Sequence, residues 1–152
     1  MVIDERSGPT GPVLVAGATG QSGRLIVAEL LAAGYLVRAL VRNNTKGRQL
    51  GTGVELVNGD VRNPATLVAA MTGVSAVISA IGGRSPLGGN GFRAIDWEGN
   101  RALIDAARSG GVTRFLLITA GSAGRSGFPY SLPLAPYPWK ARAEAHLRAS
   151  GL

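Results

Sequence analysis

The 152-residue chain contains no cysteine and a single histidine, His146. The first absence rules out disulfides and thiolate metal sites and fits a reducing compartment, with the cytoplasm as the expected location. The second leaves no histidine pair for a metal, and none is expected. His146, set among Arg142, Glu144 and Arg148, reads as a solvated helix residue. Aromatic residues make up only 5% of the chain. Basic residues outnumber acidic ones 16 to 9, for a net charge of +7, but they are scattered singly. Without a basic cluster or an aromatic platform to stack bases, nucleic acid is not an expected partner. No apolar run approaches the roughly 18–20 residues needed to cross a bilayer, so no membrane partner is expected. Residues 1–11 are polar and rich in Gly and Pro, lack the apolar core of a signal peptide, and read as a flexible lead.

What remains, 45% hydrophobic and 16% charged, suits one globular domain over residues 12–152. Its most informative segment runs from Val13 to Arg24, where Gly17, Gly20 and Gly23 sit between an apolar strand-like run and a helix-like run. In a chain with 23 glycines the triplet alone is weak evidence, and its flanks decide the matter. Val13-Leu14-Val15-Ala16 suits a strand buried on both faces, and Ile26, Leu30 and Ala33 recur at helical spacing before Gly34 ends the helix. A second apolar run follows at 36–41, completing a βαβ unit. Gly17 lets the chain turn out of the strand, Gly20 lets backbone approach a phosphate, and Gly23 lets helix and strand pack closely. The loop Gly17-Ala18-Thr19-Gly20-Gln21-Ser22-Gly23 would then aim the N–H groups and dipole of the following helix at a dinucleotide pyrophosphate.

Farther on, 54–57 reads as a third strand, and Asn63-Pro64 as the cap and first turn of a helix to about Met71. Residues 74–80 read as a fourth strand, 82–91 as a loop, 92–109 as a helix, 114–119 as a fifth strand, 120–138 as a Gly/Ser/Pro loop and 139–150 as a last helix. This alternation predicts a Rossmann-like α/β fold: a doubly wound parallel sheet of about five strands in a three-layer αβα arrangement. At the end of the second strand, where an NAD site carries a carboxylate for the ribose hydroxyls, stands Arg42, followed by Lys46 and Arg48. A guanidinium there pairs with a 2′-phosphate that a carboxylate would repel, so NADP(H) is expected over NAD(H). Arg38 shares the strand alternation of Arg42 and is a candidate assistant.

The glycine turn, Asn58-Gly59-Asp60-Val61, the stretch 95–107 around Asp96 and Asn100, the stretch 111–119 ending in Thr119, and the stretch 140–152 opening on Lys140 occur in that order. Together they resemble the atypical branch of the short-chain dehydrogenase/reductase superfamily, over residues 12–152. That branch includes flavin and biliverdin reductases, isoflavone-reductase-like enzymes and redox sensors that bind the cofactor without known chemistry. The resemblance implies an NADP(H)-binding domain that transfers hydride to a small conjugated acceptor, flavin or quinone-like, or alternatively a non-catalytic NADP(H)-sensing regulator or scaffold. It implies that Asp60 and Val61 lie against the adenine. Ala80, Ile81 and Gly82, closing the fourth strand, would let backbone run beside the cofactor.

Catalytic candidates are fewer. The superfamily places a tyrosine four residues before a lysine, and Pro136 stands at that distance from Lys140; Tyr137 is expected at or before the helix cap, off the lysine's face. Lys140 keeps a ribose or nicotinamide role, against a surface pair with Glu144. Thr119, with Ser122 as the other hydroxyl, stands where the family carries a substrate-binding serine. Asp96 occupies the place of an active-site asparagine and, ionised, donates no hydrogen bond. Asn100 reads as a local packing residue. The resembled proteins continue into a sixth strand and a substrate lobe, neither of which this sequence contains. The fifth strand is therefore expected at an open sheet edge, through which two copies could pair. The resemblance implies that the chain by itself is a C-terminally incomplete domain, and an inactive fragment is a third reading.

Overall fold

A computed structural model describes residues 10–121 and 134–152. The expected lead, apart from its last two residues, and most of the 120–138 loop, including Ser122, lie outside the described residues. The chain order is β1 (Val13–Ala16), α1 (Gln21–Ala32), β2 (Val37–Val41), a short α2 (Asn44–Gly47), β3 (Val54–Asn58), a short α3 (Leu67–Ala70), β4 (Ala76–Ser79), α4 (Asn100–Ser109), β5 (Phe115–Leu117) and α5 (Tyr137–Ser150). All five strands pair in parallel in the order β3-β2-β1-β4-β5. This is the Rossmann-like α/β fold expected from the sequence.

The sheet's alternation builds the layers. Val13 through Ala16 are each no more than 3% exposed, because β1 is central and helices cover both its faces. Leu14 and Ala16 face the side closed by Leu67, Ala70 and Met71 around α3 and by Leu103 and Ala107 on α4. Val15 faces the other side, with Val37, Ala39 and Val41 of β2 against Val27, Ile26 and Leu30 of α1. Burying each such Val or Leu contributes roughly 1.5–3 kcal/mol, so the core centres on β1 and β2.

Several local expectations are corrected. The helix expected from Asn63 to Met71 is a 3₁₀ turn, Pro64–Thr66, followed by one turn of α-helix, and the Asn63 side chain makes no capping bond. The helix expected over 92–109 opens as a π-helical segment, Arg93–Gly99, before α4. An ion pair from Arg93 Nε to Glu98 Oε1 at 3.0 Å spans that segment five residues apart. Tyr137 is the first residue of α5, with Pro136 as its cap. It therefore stands inside the helix, three residues before Lys140, a spacing that makes side chains neighbours on a helical face. Arg38 does not assist Arg42: it donates to Glu55 Oε2 (2.9 Å) and to the carbonyls of Ala70 and Thr72 (3.0 and 2.6 Å), joining β2 and β3 to the end of α3. Four extended residues put the two arginines about 13 Å apart, at opposite ends of β2.

Candidate functional site

The carboxyl ends of β1, β2, β3 and β4 border a cleft of about 570 Å³. It lies where the strand order reverses, β1 having β2 on one side and β4 on the other, which is where open parallel sheets bind ligands. Gly17 turns the chain out of β1 with φ +79°, and a Cβ there would lie 2.6 Å from the Ala80 carbonyl oxygen. A Cβ on Gly23 would lie 2.1 Å from the Gly17 carbonyl oxygen. Gly23 is thus needed for α1 to reach β1, as the spacing implied. Gly20 caps α1 without a side chain, and no acidic residue occupies the first turn, so the positive end of the helix is left to a ligand. Arg24 steadies the turn through Nε to the Thr19 carbonyl (3.2 Å) and Nη2 to Gln49 Oε1 (3.1 Å).

Gly17, Thr19, Gly20, Arg42, Asp60, Val61, Ala80, Ile81 and Gly82 all line this cleft. The remaining residues of the expected set do not. Ala18 is buried in the core under α1. Gln21 and Ser22 are exposed on the first turn of α1, and Gly23 acts through packing. Sequence reasoning missed Arg62, Arg84 and Asn90, which also line the cleft.

At the end bordered by β2 and β3, charge dominates. Arg42, Lys46, Arg62 and Arg84 line the cleft against one carboxylate, Asp60. Both Asp60 oxygens accept from Arg62: Oδ1 from its backbone N–H (2.9 Å) and Nε (3.0 Å), Oδ2 from Nε (3.0 Å) and Nη2 (2.5 Å). Those side-chain hydrogen bonds hold the Asp60 carboxyl below its ordinary range against an opposing burial effect, with a further contribution from the charge of Arg42. The carboxylate expected against the adenine is therefore already engaged by a neighbour two residues away. Asn90, on the loop between β4 and the π segment, accepts on Oδ1 from Arg42 Nη1 (3.1 Å) and Arg62 Nη1 (3.4 Å).

Behind the β4 border lies a buried network. Asp96, 1% exposed, accepts on Oδ2 from the Gly83 backbone N–H (2.9 Å). Its Oδ1 lies 2.6 Å from Lys140 Nζ of α5, and among the described residues no well-aligned hydrogen bond reaches that oxygen. Asn100 donates to the Asp96 carbonyl (3.0 Å) and accepts from Ser79 Oγ (2.5 Å). Lys140 thus pairs with Asp96 rather than with Glu144, and it is absent from the cleft lining. Thr119 is also outside that lining: its hydroxyl donates to Glu144 Oε1 (2.7 Å), whose other oxygen accepts from Arg148 (3.0 Å). His146 is partly exposed but not without partners: it lies 2.7 Å from Asp105 Oδ1 and packs edge-on against Trp97, with ring centroids 5.8 Å apart. Its partners stand 41 and 49 residues away in sequence, beyond any local pattern. Among the described residues no group of three or more His, Cys, Asp or Glu is placed to hold a metal, and no helix is long and apolar enough to cross a membrane.

The uncapped α1 terminus, the close glycine backbone and the cationic border suit a dinucleotide in this cleft. The comparisons agree. The pattern of the NAD(P)H-binding family matches residues 17–152. Photosystem II assembly factor Ycf39 of Trieres chinensis is 38% identical over 109 residues, covering 71% of this chain and 34% of that protein, so the chain spans about a third of that relative. Among solved structures, the Citrobacter sp. triphenylmethane reductase complexed with NADP(H) superposes with a TM-score of 0.72 at 26% identity, covering 91% of this chain and 46% of that one. The NADPH-dependent quinone oxidoreductase QOR2 of Escherichia coli, complexed with NADPH, gives 0.71 at 26% identity, covering 92% and 46%. The chain belongs to the NAD(P)H-binding family, within the atypical branch of the short-chain dehydrogenase/reductase superfamily that its motifs resemble.

Proposed function

We propose that this chain is the NADP(H)-binding domain of an atypical short-chain reductase that passes hydride from NADPH to a small conjugated acceptor of flavin or quinone type. One observation carries the cofactor choice: the cleft is lined by four cationic side chains and one carboxylate, and Arg62 already neutralises that carboxylate. A 2′-phosphate suits that lining, whereas the diol of NAD gains nothing from it. The reductase and the quinone oxidoreductase reported above, both complexed with NADP(H) or NADPH, support the reaction class. Bound NADPH would supply two electrons and one proton as hydride, the acceptor taking a further proton from its surroundings. The chain's own part is to seat the pyrophosphate on Gly17–Gly20 and the start of α1, and to fix the adenosine end with Arg42.

The engagement of Thr119 by Glu144 and of Lys140 by Asp96 favours a second reading, a non-catalytic NADP(H)-sensing regulator or scaffold. The name of the Ycf39 relative, an assembly factor, points the same way. Melting the purified chain with NADPH, NADP or NADH tests the cofactor, because a ligand that binds only the native state raises Tm. A shift with NADPH and NADP that NADH does not match is expected, and equal shifts would overturn the preference. Turnover of NADPH with flavin or quinone acceptors then separates the reductase from the sensor. Pairing of two copies along β5 belongs to the same proposal. Leu116 and Ile118 there are 51% and 43% exposed, and a single monomeric species in sedimentation would remove it.

A further inference from the structure

Three parts of the fold converge on one oxygen atom. Arg42 follows β2, Arg62 follows β3, and Asn90 comes from the loop after β4, yet both guanidinium groups donate to Asn90 Oδ1. The amide orientation is set by this arrangement, since the other face of the side chain would present donors to donors. The loop delivers Asn90 through its own bonds: Arg84 N–H to the Asn90 carbonyl (3.0 Å), Gly91 N–H to Gly88 (2.8 Å) and Phe92 N–H to Ser85 (2.9 Å). A Cβ on the adjacent Gly89 would lie 3.6 Å from Arg62 Nη1, so the loop runs directly against that side chain. Asp60 compensates Arg62 through Nε and Nη2, but Arg42 Nη1 and Arg62 Nη1 converge on a neutral carbonyl oxygen, a fork geometry better met by an anionic oxygen.

We propose that Arg62 is a second ligand for the 2′-phosphate of the dinucleotide, sharing with Arg42 the position that the Asn90 side-chain oxygen holds in this structure. Arg62 then has two tasks. Through Nε and Nη2 it keeps the Asp60 carboxylate from repelling the phosphate, and through Nη1 it faces the phosphate itself. Asn90 is an internal competitor, and a 2′-phosphate that takes its place releases the tip of the loop from the two arginines. The inference rests on the NADP(H) reading above and adds to it a residue that the end of β2 does not supply.

The test uses two small probes, adenosine 2′,5′-bisphosphate and 5′-AMP, titrated calorimetrically into the wild-type chain and into Arg42→Ala, Arg62→Ala, Arg62→Lys, Asp60→Asn and Asn90→Ala. The wild type is expected to prefer the bisphosphate at least tenfold. Arg62→Ala should lose most of that preference with 5′-AMP affinity little changed, and Arg62→Lys should retain part of it. Asp60→Asn, which keeps Arg62 and removes the carboxylate, should keep or increase the preference, showing that loss in Arg62→Ala is not merely an exposed Asp60. Asn90→Ala should bind the bisphosphate several-fold more tightly. If the wild type prefers the bisphosphate and only Arg42→Ala abolishes this, the role of Arg62 is wrong while the NADP(H) reading stands. If the wild type shows no preference, the reading itself fails. Weaker bisphosphate binding by Asn90→Ala would overturn the competition and make Asn90 a ligand contact.

Discussion

The two borders of the cleft use polar groups in opposite ways. At the β2–β3 border, Arg42, Arg62 and Asn90 are exposed, and their bonds cross between loops. Behind the β4 border, Ser79, Asp96 and Asn100 are at most 2% exposed, and they bond one another or Lys140. Exposed charges keep most of their hydration and add little to folding, but they remain available to an ionic ligand. Buried polar groups must be satisfied internally, and losing one partner leaves the other stranded in a low dielectric. Substitutions at the first border should therefore alter binding more than stability, and substitutions at the second should do the reverse.

The hardest test of that division is Lys140→Ala, which leaves the Asp96 carboxylate buried without its counter-charge. Removing one member of a buried pair costs about 3–5 kcal/mol, and the partial exposure of Lys140 (19%) places this case at about 3 kcal/mol. Urea denaturation measures it, and an unchanged midpoint would show that the pair is not structural. Next is Gly23→Ala, where the added methyl meets backbone rather than a flexible side chain. Overpacking of that kind costs about 1–3 kcal/mol, and displacement of α1 should also abolish the Tm shift given by NADPH. Ser79→Ala removes one buried hydroxyl and leaves Asn100 Oδ1 short of a donor, for about 1–2 kcal/mol with dinucleotide affinity retained.

The smallest change in stability should come from Asp60→Asn, and it depends on pH. Hydrogen bonds from Arg62 lower the folded-state pKa of Asp60 below its unfolded value of about 3.8. Its contribution is therefore complete above that value and is lost as pH falls through the lower, folded-state pKa. Wild type and Asp60→Asn should show similar urea midpoints well below that pKa and diverge slightly, in favour of the wild type, as pH rises past 4. A divergence that grows on acidification would contradict the direction of the shift.

What was legible in the sequence follows the same line between local and distant partners. The β1 run and the glycine turn are contiguous, and Arg42 stands directly after the β2 run, so place along the chain carried them to the cleft. The parallel α/β class needed only the alternation of apolar runs with helical ones. Lys140, by contrast, has Glu144 as its local candidate four residues away, while its partner Asp96 lies 44 positions earlier and is reached only through the packing of α5 on the π segment. Asn90 sits in a Gly-rich loop with no periodicity, and nothing local marks it as the point where two arginines meet. Arg62 did leave a signal, standing two residues after Asp60. A basic residue so close to a carboxylate competes with any ligand for it, and here it takes both oxygens.

The π segment Arg93–Gly99 makes part of this architecture a matter of residue count. A π turn holds one more residue than an α turn, and the Arg93–Glu98 ion pair closes across it. Deleting one residue at Glu98 would let the segment relax into ordinary α-helix, the lost residue coming out of the wider turn, so that what precedes it keeps nearly its present rotation relative to α4. Asp96 would then stay on the side of Lys140 and the Gly83 N–H, while the Arg93–Glu98 ion pair would be lost. Glu98→Ala, which preserves the count, should leave the fold near wild type. The wider turn absorbs one residue of length, so a one-residue deletion there should cost less than the same deletion within α4, where each lost residue turns the helix by about 100°.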